Sequence, residues 1–250
     1  MPAIWDTPYG HAMLKIERAN KHIKEFDLRL LSSSNHYGPS IHINAQTGEK
    51  YIHYRLNDYM LRGDLAVIVG DVAHNLRSAL YFVWVSLVRR NGFRVTSQTH
   101  FPIRKDQGRN WLESVLTQNA GVHPTSPIFD FLVNNVKAYQ GGDSDILALH
   151  DLDVDDKHIL LIPMVSVTGI KGLELENEDG SLDCFDILLK EHEVYRKVIP
   201  LETKFKKHGE VQFHVTFAKG AGIQDAEIVA TLKRISRKVL QIVRTIEIMR

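Results

Sequence analysis

The sequence predicts an α+β fold: a four-helix bundle with a β-hairpin near its N-terminal end and an antiparallel sheet inserted before its last helix. Three observations predict it. Apolar residues return at helical spacing in four stretches, about 11–31, 63–90, 128–158 and 225–249. A short alternating stretch turns at Thr47-Gly48, as two strands around a tight turn do. Between about 159 and 218 the period shifts to two, in segments rich in branched and aromatic residues and parted by glycine-containing turns.

The first helix sets Leu14, Ala19, Ile23, Phe26 and Leu30 on helical spacing, with Lys15, Glu17, Lys21, Lys24 and Glu25 between them, and the run SSSNHYGP breaks it. Residues 63–90 contain no proline, are too long for a strand, and are too polar at their centre to span a bilayer. They are the candidate central buried helix, expected to be packed on most of its circumference. Asn91-Gly92 stops it, and Arg89 and Arg90 suit the negative end of its dipole. A short extended piece, a weak helix over 111–116 and the loop NAGVHPTSP follow. Helical spacing returns at 128–139 and 145–158 on either side of Gly141-Gly142, with Ser144 or Asp145 as the N-cap. Four or five strands come next. In the last helix Ile228, Leu232, Ile235, Val239, Ile242, Ile246 and Met249 alternate steps of four and three, a seam that suits either the chain's own core or a homodimer stripe. With no repeat and no long Pro/Gly/Ser linker, residues 1–250 read as one α+β domain.

Composition narrows the function classes. Hydrophobic residues at 44% and charged residues at 24% describe an ordinary globular chain. The 31 Lys+Arg against 30 Asp+Glu leave +1, so contact with nucleic acid or membrane must come from a local patch. The single cysteine, Cys184, excludes an intramolecular disulfide and multi-cysteine metal sites, fits a cytoplasmic protein, and among its FDILLK neighbours reads as a core thiol. The N-terminal residues lack the layout of a signal peptide, and no uncharged apolar stretch is long enough to span a membrane. GxGxxG, GxxxxGK[ST] and GxSxG are absent, and the 13 histidines form no HExxH or His-x-His pair. Neither a cofactor nor a metal is expected.

Polar residues interrupt the central helix at Asp71, His74, Asn75, Arg77, Ser78 and Tyr81. A helix that is apolar on most sides brings such groups inside, where they must be paired or line a wet cavity. The expected partners lie in LHDLDVDDKHILL, where Leu149, Leu152, Asp153 and Asp156 share a face and Lys157 and His158 follow. Carboxylate, ammonium and imidazole beside Asp71, His74 and Arg77 suffice for acid–base work or for stabilising a phosphate transition state. The same residues also suffice for a polar network that only ties helices together. Lys233, Arg237 and Arg244 lie on neighbouring turns of the last helix, either following a phosphate backbone or forming a solvated face.

The run GDVAHNLRSAL at 70–80, with FPI at 101–103 and DKH at 156–158, resembles a set of uncharacterised bacterial proteins whose central run continues Leu-Arg-Ser-Ala-Leu-Asp-His. Its Arg-x4-His pattern is similar to the signature of the HEPN superfamily: helical-bundle proteins of toxin–antitoxin, CRISPR and abortive-infection systems, many of them metal-independent ribonucleases. The resemblance covers residues 70–82 and the downstream anchors. It implies a HEPN-like bundle, an RNA partner, and a role for Arg77. The sequence departs from the pattern where the histidine belongs: positions 82–84 hold Phe82, Val83 and Trp84, and Tyr81-Phe82 replaces the Asp-His pair. The resemblance therefore implies weak or absent cleavage, or recruitment of His74 or His158. Arg94 and His100 repeat an arginine–histidine spacing, but in an extended stretch where coincidence explains it.

Overall fold

The computed structural model describes residues 6–34, 39–54, 59–158, 164–188, 195–217, 223 and 226–249. The chain is α+β, with six α-helices and two antiparallel sheets among the described residues. It divides into two compact units. A helical unit comprises Met1–Glu25, Ala66–Leu161 and Phe217–Arg250, and a β unit comprises Phe26–Leu65 and Ile162–Thr216.

The helices are α1 (Pro8–Ser34), α2 (Tyr59–Arg90), α3 (Arg109–Ser114), α4 (Pro127–Asp130), α5 (Ser144–His158) and α6 (Ile228–Ile248), and the helical unit holds all of them but the end of α1 after Glu25 and the start of α2 before Ala66. Helix α2 starts four residues before the expected position. In it Val72, Ala73, Leu76, Ala79, Leu80, Val83, Trp84 and Leu87 are all buried, as a helix apolar on most sides requires. Its end is a Schellman turn: Gly92 adopts φ +80°, its N–H donates to the Arg89 carbonyl (3.0 Å), and Phe93 N–H donates to that of Val88 (3.1 Å).

Helix α3 runs on as a π-helical segment, Val115–Asn119, and α4 as another, Phe131–Val136, so the single helix expected over 128–139 is split by a change of helical pitch. The cap of α5 also differs from expectation. Asp143 Oδ1 accepts from the Asp145 and Ile146 amides (3.0 and 3.1 Å), which leaves Asp145 free to turn toward α6. There the buried Asp145 carboxylate takes a forked pair of bonds from Arg234 and a third from Lys238 (3.1 Å). Burial pushes its pKa up, but the bonds from Arg234 and Lys238 prevail and hold it below the usual carboxylate value.

Polar contacts join α1, α2, α5 and α6 in sequence. His22 Nε2 lies 4.0 Å from Asp71 Oδ2, His74 Nδ1 lies 3.4 Å from Asp153 Oδ1, Arg234 reaches Asp145, and Ser236 Oγ donates to Asn20 Oδ1 at 2.8 Å. The apolar seam of α6, from Ile228 to Ile246, is buried in its own unit, with Met249 exposed at its end.

In the β unit, β1 (Ser40–Ile43) and β2 (Lys50–Tyr54) form the expected hairpin, and β3 (Met164–Glu176), β4 (Leu182–Leu188), β5 (Tyr195–Ile199) and β6 (Lys204–Thr216) are the inserted strands. They do not make one sheet. The orders are β1-β2-β5 and β4-β3-β6, because β5 pairs antiparallel with β2, Ile52 opposite Lys197. Ile52 and Ile199 of the first sheet join Ile170, Leu173, Leu175, Ile187 and Val211 of the second in one apolar cluster. Cys184 on β4 is exposed, not in the core, because it pairs with Glu174, on the face of the sheet opposite the buried Leu173 and Leu175. Among the described residues no helix is long and apolar enough to cross a membrane.

Candidate functional site

The site lies in the helical unit, where Arg77 and Trp84, seven residues apart on α2, share a face. The segment after α2 passes beside that face without regular structure. Proline at 102 disfavours helix, and the buried Phe101 and Ile103 pin the segment down. Phe101 meets Trp84 edge to face (5.8 Å between ring centroids), and Arg104 N–H donates to the Ala138 carbonyl at 3.1 Å. The FPI motif is thus a clamp that sets His100 and Arg104 at the rim of a cavity.

That cavity has a volume of about 800 Å³. Arg77, Arg94, Arg104, His100 and His150 line it together with the aromatic rings of Trp84, Phe93, Phe101 and Trp111 and the polar side chains of Thr96, Gln98, Thr99 and Asn119. Among the described residues no aspartate or glutamate lines it. A smaller cavity of about 250 Å³ is lined by His74, Ser78, Tyr81 and Asp153, and shares Arg77, His100 and Phe101 with the first. Arg77 therefore stands where the two cavities meet. Gly121 supports the far wall: at φ +61°, it carries no Cβ, and one placed there would lie 2.3 Å from the Phe93 ring.

Among the described residues, the buried Nη1 of Arg77 and Nδ1 of His150 have no hydrogen-bond partner. Burial lowers the Arg77 pKa while Asp153 draws it back up, and the guanidinium stays charged. Burial first, and the Arg77 charge second, push the His150 imidazole below its ordinary value, so at neutral pH it carries no charge and can accept a proton. Unsatisfied buried donors are costly to keep, and toward the larger cavity, away from Asp153 in the smaller one, a cation held this way favours an anion.

The structure divides the residues expected to form one site. His74 meets Asp153, and both line the smaller cavity with Arg77. Asp71 is half-exposed and turns toward His22 on α1, because six residues of helix carry it well away from the Arg77 face. The side chains of Asp156, Lys157 and His158, at the end of α5, lie outside the described residues. Phe82, at the position of the missing histidine, packs against His11 (5.4 Å) and Tyr81 (6.0 Å) and lines neither cavity. Lys233, Arg237 and Arg244 are exposed along α6, with Arg237 Nε donating to the Lys233 carbonyl (3.3 Å). Sequence reasoning missed His150, His100, Arg94 and Trp111. The first had a signal, since His150 stands three residues before Asp153 on the same helical face. The pair Arg94 and His100, dismissed as a coincidence of spacing, lines the larger cavity.

No protein-family model, no curated protein and no solved structure matches this chain. Among the described residues no group of three or more His, Cys, Asp or Glu side chains is placed to hold a metal ion.

Proposed function

We propose that this chain is a HEPN-like protein of the cytoplasm, with α1, α2, α5 and α6 as its four-helix bundle, that binds RNA or cleaves it weakly in a defence or toxin-type role. One observation carries the proposal: the half-buried, charged Arg77, whose buried Nη1 has no hydrogen-bond partner among the described residues, lines two histidine-bearing cavities at the position of the family's arginine. In this reading Arg77 binds the scissile phosphate. The neutral His150 takes the proton of the ribose 2′-hydroxyl as its oxygen attacks phosphorus, and solvent protonates the departing 5′-oxygen. The resemblance implies a second imidazole worth about 10²- to 10⁴-fold in acid–base catalysis; here Phe82 stands at its position and lines neither cavity, so His150 acts alone and turnover is slow. Lys233, Arg237 and Arg244 offer additional phosphate contacts along α6.

The test is binding and cleavage of single-stranded RNA by wild type, Arg77→Ala and His150→Ala, each checked by thermal melting. Slow, EDTA-resistant cleavage lost in both variants is expected. Strong EDTA-sensitive turnover contradicts the metal-free chemistry. Wild type that neither binds nor cleaves favours a second reading, a non-enzymatic binding or assembly module that dimerises through the outward face of α6. The contacts that join the helices pairwise, Arg234 to Asp145 above all, are the observation on its side.

A further inference from the structure

We infer that the larger cavity is a nucleoside-phosphate site, holding one nucleotide with its phosphate on Arg77 and Arg94 and its base against Trp111. The inference rests on the reading of Arg77 as a phosphate-binding cation, but not on cleavage. Size comes first. At about 800 Å³ the cavity falls in the roughly 300–1,000 Å³ range of small-molecule sites. Single-strand binding modules, by contrast, track about 4–16 nucleotides along an open groove. A bare phosphate would leave most of this volume unfilled, whereas a nucleotide adds a planar base and a sugar.

Charge comes second. Three arginines face the space with no acid among them, and Arg104 already lies 3.8 Å from Asp106. That leaves Arg94, which makes no ion pair among the described residues, and Arg77, which offers a buried donor with no partner. Together they suit the two charges of a terminal phosphate monoester better than the single charge of an internal diester.

The aromatic lining is third. Trp84 is fully buried and held by Phe101, so it serves as the floor, while Trp111 is only half-buried and presents its ring to the space. Stacking on such a ring accepts any base, and the side chains of Gln98 and Asn119, which also line the cavity, carry both donors and acceptors for a base edge. Two sources supply this chemistry: a free nucleotide, and the phosphorylated end of an RNA strand.

Trp84 and Trp111 are two of the chain's three tryptophans, so occupancy can be read from intrinsic fluorescence. The full-length chain is titrated with AMP, adenosine, inorganic phosphate, and oligoadenylates bearing a 5′-phosphate or a 5′-hydroxyl. AMP is expected to bind at least about tenfold more tightly than adenosine or phosphate, the equivalent of one charge-assisted hydrogen bond. Arg94→Ala, at an exposed position, and Trp111→Ala, at a half-buried one, should each weaken AMP by about tenfold, with thermal melting showing that both variants fold. Competition by the 5′-phosphorylated oligomer alone assigns the strand end as the source, and no competition by either oligomer assigns the free nucleotide. The inference is overturned if AMP binds no better than adenosine or phosphate, or if both variants keep wild-type affinity. AMP binding without any RNA binding sinks the RNA reading but leaves the nucleotide site standing. RNA binding that depends on Arg77 but is indifferent to AMP does the reverse.

Discussion

The two units handle buried polarity differently. In the β unit the apolar cluster is made of isoleucine, leucine and valine, and among the described residues the buried polar side chains are two threonines, Thr203 and Thr216. The helical unit buries Asp145, Asp153, His22 and Asn75, along with the inner end of Arg77. Charges taken out of water cost several kcal/mol each unless paired. Where the pairing is complete, as at Asp145, the charge locks helices together. At Arg77 the pairing is incomplete among the described residues, and the same side chain lines two cavities. The contrast teaches that the location of chemistry in this molecule follows unsatisfied burial more closely than the density of polar residues, since the β unit's exposed faces are equally rich in charge.

The largest effect expected is on packing. Leu80→Ala, at a fully buried position of α2, should cost about 2–5 kcal/mol in chemical denaturation. A loss below 1 kcal/mol would mean that α2 is not the packed centre of its unit. Next, Asp145→Ala should cost about 2–3 kcal/mol, since Arg234 and Lys238 lose a buried carboxylate, whereas Glu176→Ala, which breaks the exposed pair with Lys206 (3.6 Å), should cost under about 0.5 kcal/mol. Equal costs would erase the contrast between the units. Gly121→Ala, at a positive φ and against Phe93, should cost about 1–2 kcal/mol and weaken AMP binding by displacing the cavity wall.

Stability should also depend on pH, through His150. Its folded pKa is lowered, so its contribution is complete above the ordinary value of about 6.5 and is lost as pH falls from there toward the folded value. Asp145 behaves alike in a lower window, complete above about 3.9 and lost below it. Urea midpoints between pH 5 and 8 should therefore fall on the acid side, and His150→Gln should flatten that slope. The smallest effect is expected from Phe82→His. Facing His11 and lining neither cavity, an imidazole at 82 should add no measurable cleavage, and a clear gain would mean that the site lies on the other face of α2.

Local periodicity made most of the helices legible. The seam of α6 and the long apolar run of α2 each repeat within a few residues, which is the range over which a helix forms its own contacts. Pairings between distant segments left no such trace. Nothing in the sequence of β5 announces β2 as its partner, and nothing in the extended residues 93–104 announces that they pass beside Arg77. The π-helical turns after α3 and α4 were illegible for a different reason, since their composition is that of an ordinary helix. Of the candidate site, Arg77 was legible because a polar residue on a central helix must be paired or line a cavity, and His74, which is exposed, because it lies one turn from Arg77. His150 carries no sequence signal beyond its spacing from Asp153, which other residues of the same helix share.

The acid-free lining of the larger cavity also bears on how fast a ligand arrives. The chain as a whole carries a formal charge of +1, so a distant anion meets almost no net field. At physiological ionic strength charges are screened beyond about 8 Å, and the arginines act only on what has already reached the mouth. Arrival is then governed by diffusion and retention by the cavity, which favours a slow off-rate over a fast on-rate. Raising salt should shorten the residence time of a bound phosphate while leaving its rate of encounter nearly unchanged.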